Sequence, residues 1–261
     1  GEFADIKPMV DWAKCTGQKL VQILPINDTL ATHTWIDSYP YSAISVFALN
    51  PIYVNPDLIA ELQDASTLLD LRQEAKRLNS LEVVDFEGVV ALKMRWLKRL
   101  YEQEKEHFEG DKAFKAFLDT HKDWLTPYAV FCTLRDQYKT VDFRNWGEHS
   151  VYNADQIADM AKPNSATYDQ VGFHLFVQWH LHQQLMDAAE YAREQGVVLK
   201  GDIPIGIYRH SVDAWVAPHL YNMDGQAGAP PDDFAVAGQN WRFPTYNWEE
   251  MAKDGYGWWK Q

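Results

Sequence analysis

The chain has 261 residues, of which 46% are hydrophobic, so it is long enough to bury a sizeable core in one or two domains. Its formal net charge of −13 excludes nucleic acid and anionic membrane surfaces as main partners, because both require clustered lysine and arginine. No apolar run reaches the roughly eighteen residues of a membrane-spanning helix, and the first residues lack a signal-peptide pattern. We therefore expect a soluble, cytoplasmic protein.

The chain begins with the pattern of a helix followed by a strand. Apolar residues recur at helical spacing at Ile6, Met9, Val10 and Ala13. Gly17 is placed to end this helix, because glycine readily adopts the left-handed conformation that follows many helices. The apolar run at residues 20–24 then predicts a buried strand that stops at Pro25.

A long, mainly helical segment is predicted for residues 56–165. Its clearest helix has an apolar face formed by Val89, Leu92, Trp96, Leu97 and Leu100. Thr126 and Pro127 form a typical start of another helix, as its N-cap and first helical residue, and this helix would run through Tyr138. Residues 139–166 show little periodicity, which indicates loop or short helix.

The helix–strand pattern returns after this segment. A helical stripe of apolar residues is formed by Phe173, Val177, Leu181, Leu185, Ala188 and Ala192. Gly196 is placed to end the helix, residues 197–203 predict a strand, and Pro204 follows. Two units of this kind in one chain predict a parallel β/α architecture.

The last part of the chain is rich in proline, glycine and aromatic residues. Ser211 is a good N-cap for a short helix containing Trp215. Residues 225–246 then predict a long structured loop, and loops of this length in compact domains are usually functional or disordered. Five aromatic residues between Phe234 and Trp248 favour function.

Several residues that could suggest other chemistry favour structural interpretations. Cys15 and Cys132 are interpreted as two buried free thiols, since a disulfide scaffold needs more cysteines. The spacing of His174, His180 and His182 does not place them on one helix face, so no metal site is expected. The adjacent carboxylates Asp232 and Asp233 are not expected to form an acid/base pair, because neighbouring residues rarely converge on one bond, and at least one of them is expected to cap a loop. No nucleotide-binding or serine-hydrolase motif occurs.

Three sequence blocks resemble the amylomaltase, or 4-α-glucanotransferase, family. They are residues 20–51, with LVQILPIND and DSYPYSAISVFALNP, residues 201–215, with GDIPIGIYRHSVDAW, and residues 227–248, with AGAPPDDFAVAGQNWRFPTYNW. All three stand in the family's order, and the opening GEF also resembles a turn of the family. The helical segment is most similar to the plant-cytosolic and Bacteroides-like branch.

The resemblance implies an α/β fold that forms the first part of a (β/α)8 TIM-type barrel with a large helical insertion. Residues 1–55 would hold the first barrel units, residues 56–165 the helical insertion, and residues 166–261 a further barrel unit and the long substrate loop. The implied reaction transfers α-1,4-glucan segments to an acceptor sugar by a retaining double displacement, in which one carboxylate attacks and another protonates the leaving oxygen. The resemblance implies no organic cofactor and no metal.

The chain departs from the family where the catalytic carboxylates should be. The family's Arg-Ile-Asp-His, Gly-Glu-Asp and Thr-His-Asp types of motif are absent from residues 1–261, so no catalytic residue is assigned here. We expect those carboxylates beyond Gln261, and a chain that is inactive alone. The resemblance does imply substrate-binding residues, namely Tyr41, Ser42, Asp202, Gln239, Asn240, Trp241 and Tyr246.

Two alternatives stay open at this point. A non-catalytic glucan-binding or regulatory protein could have evolved by loss of the other half, and a related α-glucan hydrolase would use water as acceptor. Asp202 could instead cap the loop that follows it, and Trp241 could instead pin its loop to the body of the protein. The sequence leaves the oligomeric state undecided, and dimerisation is one way in which an incomplete barrel could remain folded.

Overall fold

The structure, a computed structural model, describes residues 1–260. Its helices are α1 (Ile6–Cys15), α2 (Ala65–Asn79), α3 (Phe86–Gly110), α4 (Lys112–Tyr138), α5 (Ala154–Met160), α6 (Tyr168–Glu194), α7 (Val212–Val216), α8 (Trp248–Lys253) and α9 (Gly257–Lys260). Its strands are β1 (Leu20–Gln22), β2 (Val198–Lys200), β3 (Tyr221–Asn222), β4 (Gly228–Ala229), β5 (Gln239–Asn240) and β6 (Thr245–Tyr246). Gln261, the last residue of the predicted range 166–261, lies outside the described residues. No helix among residues 1–260 is long and apolar enough to cross a membrane.

The two predicted helix–strand units are present and lie side by side. β1 pairs in parallel with β2, with Val21 opposite Leu199. Gly17 and Gly196 end the helices of the two units with φ angles of +76° and +70°, a conformation that side chains with a Cβ adopt only at a cost. The parallel arrangement predicted from the sequence is therefore confirmed for these two strands.

The strands are shorter and less buried than the sequence predicts. The expected buried run at 20–24 forms a strand over only three residues, and Leu20 and Leu24 are 45% and 59% exposed. The reason is that one face alone is covered: Val21 packs with α1 and α6 in a small cluster containing Val10, Ala13, Ala192 and Val197. Residues 1–260 form three two-stranded sheets, so they do not close a barrel by themselves.

The middle of the chain is helical as predicted, but one helix start was placed wrongly. α4 begins at Lys112, where Asp111 caps it by accepting hydrogen bonds from the backbone N–H groups of Ala113 and Phe114. Pro127 lies inside this helix, although an interior proline removes one helical hydrogen bond. The helix continues through it because residues 127–135 are fully buried, and this packing outweighs the local signal of Thr126 and Pro127.

One hydrophobic core joins all three predicted sequence ranges. It contains Ile44 from the first range, Leu97 and Phe131 from the helical segment, and Phe176 and Trp215 from the last. The division into ranges 1–55, 56–165 and 166–261 stays a prediction, and the helical segment shares its core with the rest of the chain. Cys132 is buried there as expected, whereas Cys15 is exposed, because it lies on the solvent side of α1.

Two glutamines of α6 bind the backbone of residues 49–55, the segment that follows the loop after β1. The Gln178 amide accepts from the backbone N–H of Leu49 at 2.8 Å and donates to the Leu49 carbonyl at 2.7 Å. The Gln184 amide makes the same pair of bonds with Asn55, at 2.7 and 2.9 Å. Both amides are buried. Each side chain therefore supplies this backbone with the pair of hydrogen bonds that a neighbouring strand would otherwise supply.

Candidate functional site

The loops that follow β1 and β2 are bonded to each other. The backbone N–H of Tyr208 donates to the carbonyl of Ala43 at 3.2 Å, and the N–H of Val212 donates to that of Ile44 at 2.8 Å. In parallel β/α proteins the carboxyl ends of neighbouring strands lie at the same edge, and loops there carry the working residues. The chain therefore brings two predicted substrate-binding segments together at one edge.

Tyr41 and Asp202, predicted from separate sequence blocks, meet at this edge. The Tyr41 hydroxyl donates a hydrogen bond of 2.8 Å to Oδ2 of Asp202, and both residues are half-buried. This bond raises the pKa of Tyr41 above its ordinary value, so the phenol stays protonated and Asp202 keeps its donor at neutral pH. Within the described residues Asp202 accepts no hydrogen bond from the loop after it, which does not favour a capping role.

Ser42 stands beside this pair with its hydroxyl uncommitted. Its backbone N–H donates to the carbonyl of Tyr39 at 3.3 Å, which folds the chain into a turn. Within residues 1–260 its Oγ makes no hydrogen bond, and the residue is half-buried. The hydroxyl therefore has no partner within the described part of the chain, and Ser42 adjoins Tyr41 in the sequence.

A buried polar network, which the sequence did not predict, fixes the loop after β1. Asp28 accepts from the N–H of Leu30 at 2.9 Å and from the Tyr128 hydroxyl at 2.7 Å. Burial raises the pKa of Asp28 above its ordinary value. Arg135 donates to the Leu30 carbonyl at 2.5 Å, and Gln178 donates to the Tyr128 hydroxyl at 3.3 Å. The signal available in the sequence was Asp28 itself, a charged residue three positions after Pro25, where the predicted buried strand stops.

The predicted long loop, residues 225–246, contains the antiparallel pair of β4 with β5, and its last strand, β6, pairs with β3, which precedes the loop. In β5, Gln239 accepts from the Trp241 indole N–H at 3.0 Å, and the Asn240 amide donates to Gln226 at 2.5 Å. Gln239 and Asn240 are exposed, and Trp241 is half-buried. None of these three side chains hydrogen-bonds to Tyr41, Ser42 or Asp202 within the described residues. The loop therefore holds them together on its own surface.

The base of this loop is anchored beside Asp202. The Tyr246 hydroxyl donates to the Ile205 carbonyl at 3.3 Å, three residues after Asp202. The Tyr246 ring packs among Tyr221, Trp248, Trp258 and Trp259. Arg209 donates to the carbonyls of Met223 and Gly225. Tyr246 is thus part of the anchor, whereas residues 239–241 lie on the free part of the loop.

The remaining polar residues that the sequence singled out have structural roles. Of the adjacent Asp232 and Asp233, Asp232 accepts from the N–H groups of Phe234 and Ala235 at 2.9 and 2.6 Å, so at least one of the two caps the loop as expected. His174 is buried, and His180 contacts the ring of Phe176. Among residues 1–260 no group of three or more His, Cys, Asp or Glu side chains is arranged to hold a metal ion.

The fold and this edge define an α/β protein whose polar site lies where two parallel strands end. The sequence pattern of the family described as 4-alpha-glucanotransferase matches residues 1–261. The chain therefore belongs to the 4-alpha-glucanotransferase family.

Curated relatives agree with this assignment. The chain is 45% identical over 260 residues to the 4-alpha-glucanotransferase DPE2 of Oryza sativa, covering 100% of this chain and 27% of the rice protein. It is 31% identical over 262 residues to the 4-alpha-glucanotransferase of Chlamydia muridarum, covering 100% of this chain and 48% of that protein. The higher identity to the rice protein agrees with the plant-type branch expected from the sequence. The chain spans about a quarter to a half of the length of these relatives.

Two solved structures share the fold. The amylomaltase of Streptococcus agalactiae in complex with acarbose superimposes with a TM-score of 0.81 at 24% identity, covering 99% of this chain and 52% of that one. The amylomaltase of Corynebacterium glutamicum gives a TM-score of 0.76 at 20% identity, covering 98% of this chain and 35% of that one. At these identities the likeness shows that the chain folds as the corresponding part of an amylomaltase.

Proposed function

We propose that this chain forms part of the glucan-binding site of a 4-α-glucanotransferase, an enzyme that transfers α-1,4-glucan segments to an acceptor sugar by a retaining double displacement. Family membership supports the activity. The Streptococcus agalactiae neighbour, whose structure contains acarbose, supports a carbohydrate ligand. The partner in this proposal is a maltooligosaccharide, with no cofactor or metal, and the location is cytoplasmic.

The fold part of the proposal places β1 and β2 in a (β/α)8 barrel. Residues 1–55 and 166–261 would supply barrel units, and residues 56–165 the helical insertion. The parallel pairing of two helix–Gly–strand–Pro units supports this placement, because such units are the repeating element of that barrel. Leu24 and Val198, each 59% exposed, would then be covered by barrel elements outside the described residues.

The observation that carries the functional proposal is the Tyr41–Asp202 hydrogen bond of 2.8 Å between the loops after β1 and β2. Tyr41 occupies Oδ2 of Asp202, which leaves Oδ1 free to accept from a sugar hydroxyl. Ser42 would offer a second hydroxyl contact. Gln239, Asn240 and Trp241 would approach the glucan from the loop above, where an indole face suits a sugar ring.

The bond-breaking step needs groups that residues 1–261 do not supply in this proposal. Retaining transfer requires a nucleophilic carboxylate and an acid/base carboxylate about 5 Å apart. The three motifs that carry such carboxylates in the family are absent from this sequence. We therefore expect residues 1–261 alone to form no products from maltotriose, whereas the full-length protein should form glucose and longer maltodextrins.

The proposal is tested on the full-length protein with Asp202→Asn and Tyr41→Phe. Losing a hydrogen bond to a charged group should lower kcat/KM for maltotriose disproportionation about 10- to 100-fold. Asp11→Asn and Tyr191→Phe are matched controls, because the Tyr191 hydroxyl donates to Asp11 at 2.5 Å on the outer surface of α1 and α6. Unchanged kcat/KM in both site variants would overturn the assignment of this edge. Glucose and maltose without longer products would instead indicate a hydrolase.

A further inference from the structure

Residues 226–243 of the long loop form a hairpin that is hydrogen-bonded within itself. The backbone N–H of Ala227 donates to the Phe243 carbonyl at 2.7 Å, and the N–H of Trp241 donates to the Ala227 carbonyl at 2.9 Å. The pair of β4 with β5 continues the hairpin towards its tip. Within the part of the chain that the structure describes, the hydrogen bonds of all these residues stay inside the hairpin. Its own bonds therefore fix its shape, whereas contacts at its base fix its orientation.

The returning arm of the hairpin packs on the segment that begins at Asp202. A Cβ on Gly206 would lie 2.9 Å from the Cβ of Phe243, closer than two such carbon atoms pack, and Phe243 is buried. The Tyr246 hydroxyl donates to the Ile205 carbonyl at 3.3 Å, which is long for a hydroxyl donor. One arm is thus held by close packing and a single long hydrogen bond.

Arg209 holds the outgoing arm on the same segment. Its guanidinium donates through Nη1 to the carbonyl of Met223 and through Nη2 to the carbonyl of Gly225, the latter at 2.8 Å. The Gly225 N–H donates to the Asn222 carbonyl at 3.0 Å, so the chain turns here and presents two carbonyls to one side chain. A charged donor binds a carbonyl more strongly than a neutral one, so this contact is stronger than that of Tyr246.

An arginine suits this position for a geometric reason. Its guanidinium is planar and carries its donors in a fixed fork, so one side chain binds two acceptors in a defined arrangement. A lysine ammonium is a point charge on a flexible stem, and it would not fix two carbonyls in the same way. Within residues 1–260 Arg209 forms no ion pair, so its hydrogen bonds go to these carbonyls. The residue type thus matches the task of fixing the direction in which the hairpin leaves the body.

The hairpin carries three of the predicted glucan contacts. They are Gln239, Asn240 and Trp241, which are hydrogen-bonded only to other residues of the hairpin within the described range. Arg209 lies seven residues after Asp202, in the segment that follows β2. Because the hairpin is bonded within itself, a change of angle at its base displaces all three side chains together relative to Asp202.

We propose that Arg209 is a positioning residue, which holds the hairpin at the angle that places its three glucan contacts over a sugar bound at Asp202. This inference rests on the proposed function. The held hairpin strengthens glucan binding and excludes water. An acceptor hydroxyl, rather than water, then attacks the anomeric carbon, breaks its bond to the enzyme carboxylate and gives its proton to the acid/base carboxylate. Arg209 itself does not touch the sugar.

Maltotriose kinetics of the full-length protein test this role. In Arg209→Met, KM should rise about tenfold and kcat should stay within about threefold, because Asp202 and Tyr41 are unchanged and the hairpin contributes mainly to binding. Arg209→Lys keeps the charge without the fork and should raise KM by about threefold. Arg193→Met is the matched control and should change neither value, because exposed Arg193 pairs with Glu190 on α6. Partial unfolding would instead lower kcat at constant KM.

The count of reducing ends gives a second measurement on the same variants. Transfer between two maltotriose molecules leaves the number of reducing ends constant, whereas each hydrolysis adds one. Arg209→Met should therefore release new reducing ends severalfold faster, relative to transfer, than the wild-type protein and Arg193→Met do. A purely structural role of Arg209 would lower both reactions equally and leave this ratio unchanged.

A double variant shows whether Arg209 acts through the hairpin. In a Trp241→Ala background, Arg209→Met should have little further effect on KM, because the contact that it positions is already lost. Unchanged KM in Arg209→Met, an unchanged ratio of hydrolysis to transfer, or the full effect of Arg209→Met in the Trp241→Ala background would overturn the inference. Full activity of Asp202→Asn would overturn the proposed function instead, so the two failures are distinguishable.

Discussion

Asp213 carries a carboxyl group that the fold removes almost completely from water. Its oxygens accept from the Val46 N–H at 3.2 Å and from the Trp258 indole N–H at 3.3 Å. Both donors are neutral, and no cation faces the group, so burial raises the pKa of Asp213 to about 6. The fold therefore favours the protonated acid, whereas the unfolded chain releases the same proton near pH 3.8.

The pKa of Asp213 predicts a pH dependence of stability. Between about pH 4 and pH 6 the folded state binds more protons than the unfolded state, so the free energy of unfolding falls as pH rises through this window. Asp213→Asn carries no titrating group. Relative to this variant, the wild-type protein should lose about 2 kcal/mol of stability between pH 4 and pH 7. Urea unfolding of both proteins at several pH values measures this, and a difference that stays constant with pH would contradict it.

Residues such as Asp28 and Gln178 show what the sequence pattern leaves out. Both are buried polar groups whose partners, Tyr128 and Leu49, lie 100 and 129 positions away. Periodicity marks such residues as exceptions in an apolar stretch, but it does not say which backbone group they satisfy. The Tyr41–Asp202 bond has the same character, because family resemblance placed each residue near the sugar without placing the two side chains in contact.

At the scale of elements, α6 is the helix that binds the backbone of residues 49–55, the segment after the loop that follows β1. Replacing Gln178 or Gln184 by Leu removes the partner of the backbone N–H and carbonyl of Leu49 or Asn55, both of which are half-buried residues. Each variant should lower the free energy of unfolding by about 2–4 kcal/mol, since each leaves two groups unsatisfied. Gln183→Leu is the control, because Gln183 is exposed and makes no hydrogen bond within residues 1–260. Chemical denaturation of the three variants decides this, and equal stability would contradict it.

Elements with strong local signals were predicted well, and one helix start was placed wrongly because packing overrode a local signal. The helix–Gly–strand units were predictable because Gly17 and Gly196 end each helix where they stand. The prediction that a helix starts at Pro127 was wrong, because tertiary packing keeps α4 continuous through this residue. The extent of β1 and β2 was also missed, since the burial of a strand depends on neighbours that periodicity cannot identify.

At the scale of the whole molecule, the barrel proposal makes a prediction about exposed apolar residues. Leu24→Asp or Val198→Asp should destabilise the full-length protein by more than about 2 kcal/mol, because a barrel would bury both positions. Val83, 79% exposed between α2 and α3, gives the matched control, and Val83→Asp should change stability by less than about 0.5 kcal/mol. Thermal unfolding of the three variants provides the measurement. Equal tolerance at all three positions would show that the strand pair is not covered as a barrel requires.

The paired glutamines of α6 also constrain how the sequence can change in length. Gln178 and Gln184 are six residues apart, and so are the backbone groups that they bind, at Leu49 and Asn55. A single-residue insertion or deletion in either stretch would therefore misalign one of the two attachments. Among homologous sequences, changes in the length of residues 49–55 should accompany loss of one glutamine. The six-residue spacing of the two glutamines would then identify the relatives in which this segment has the same conformation.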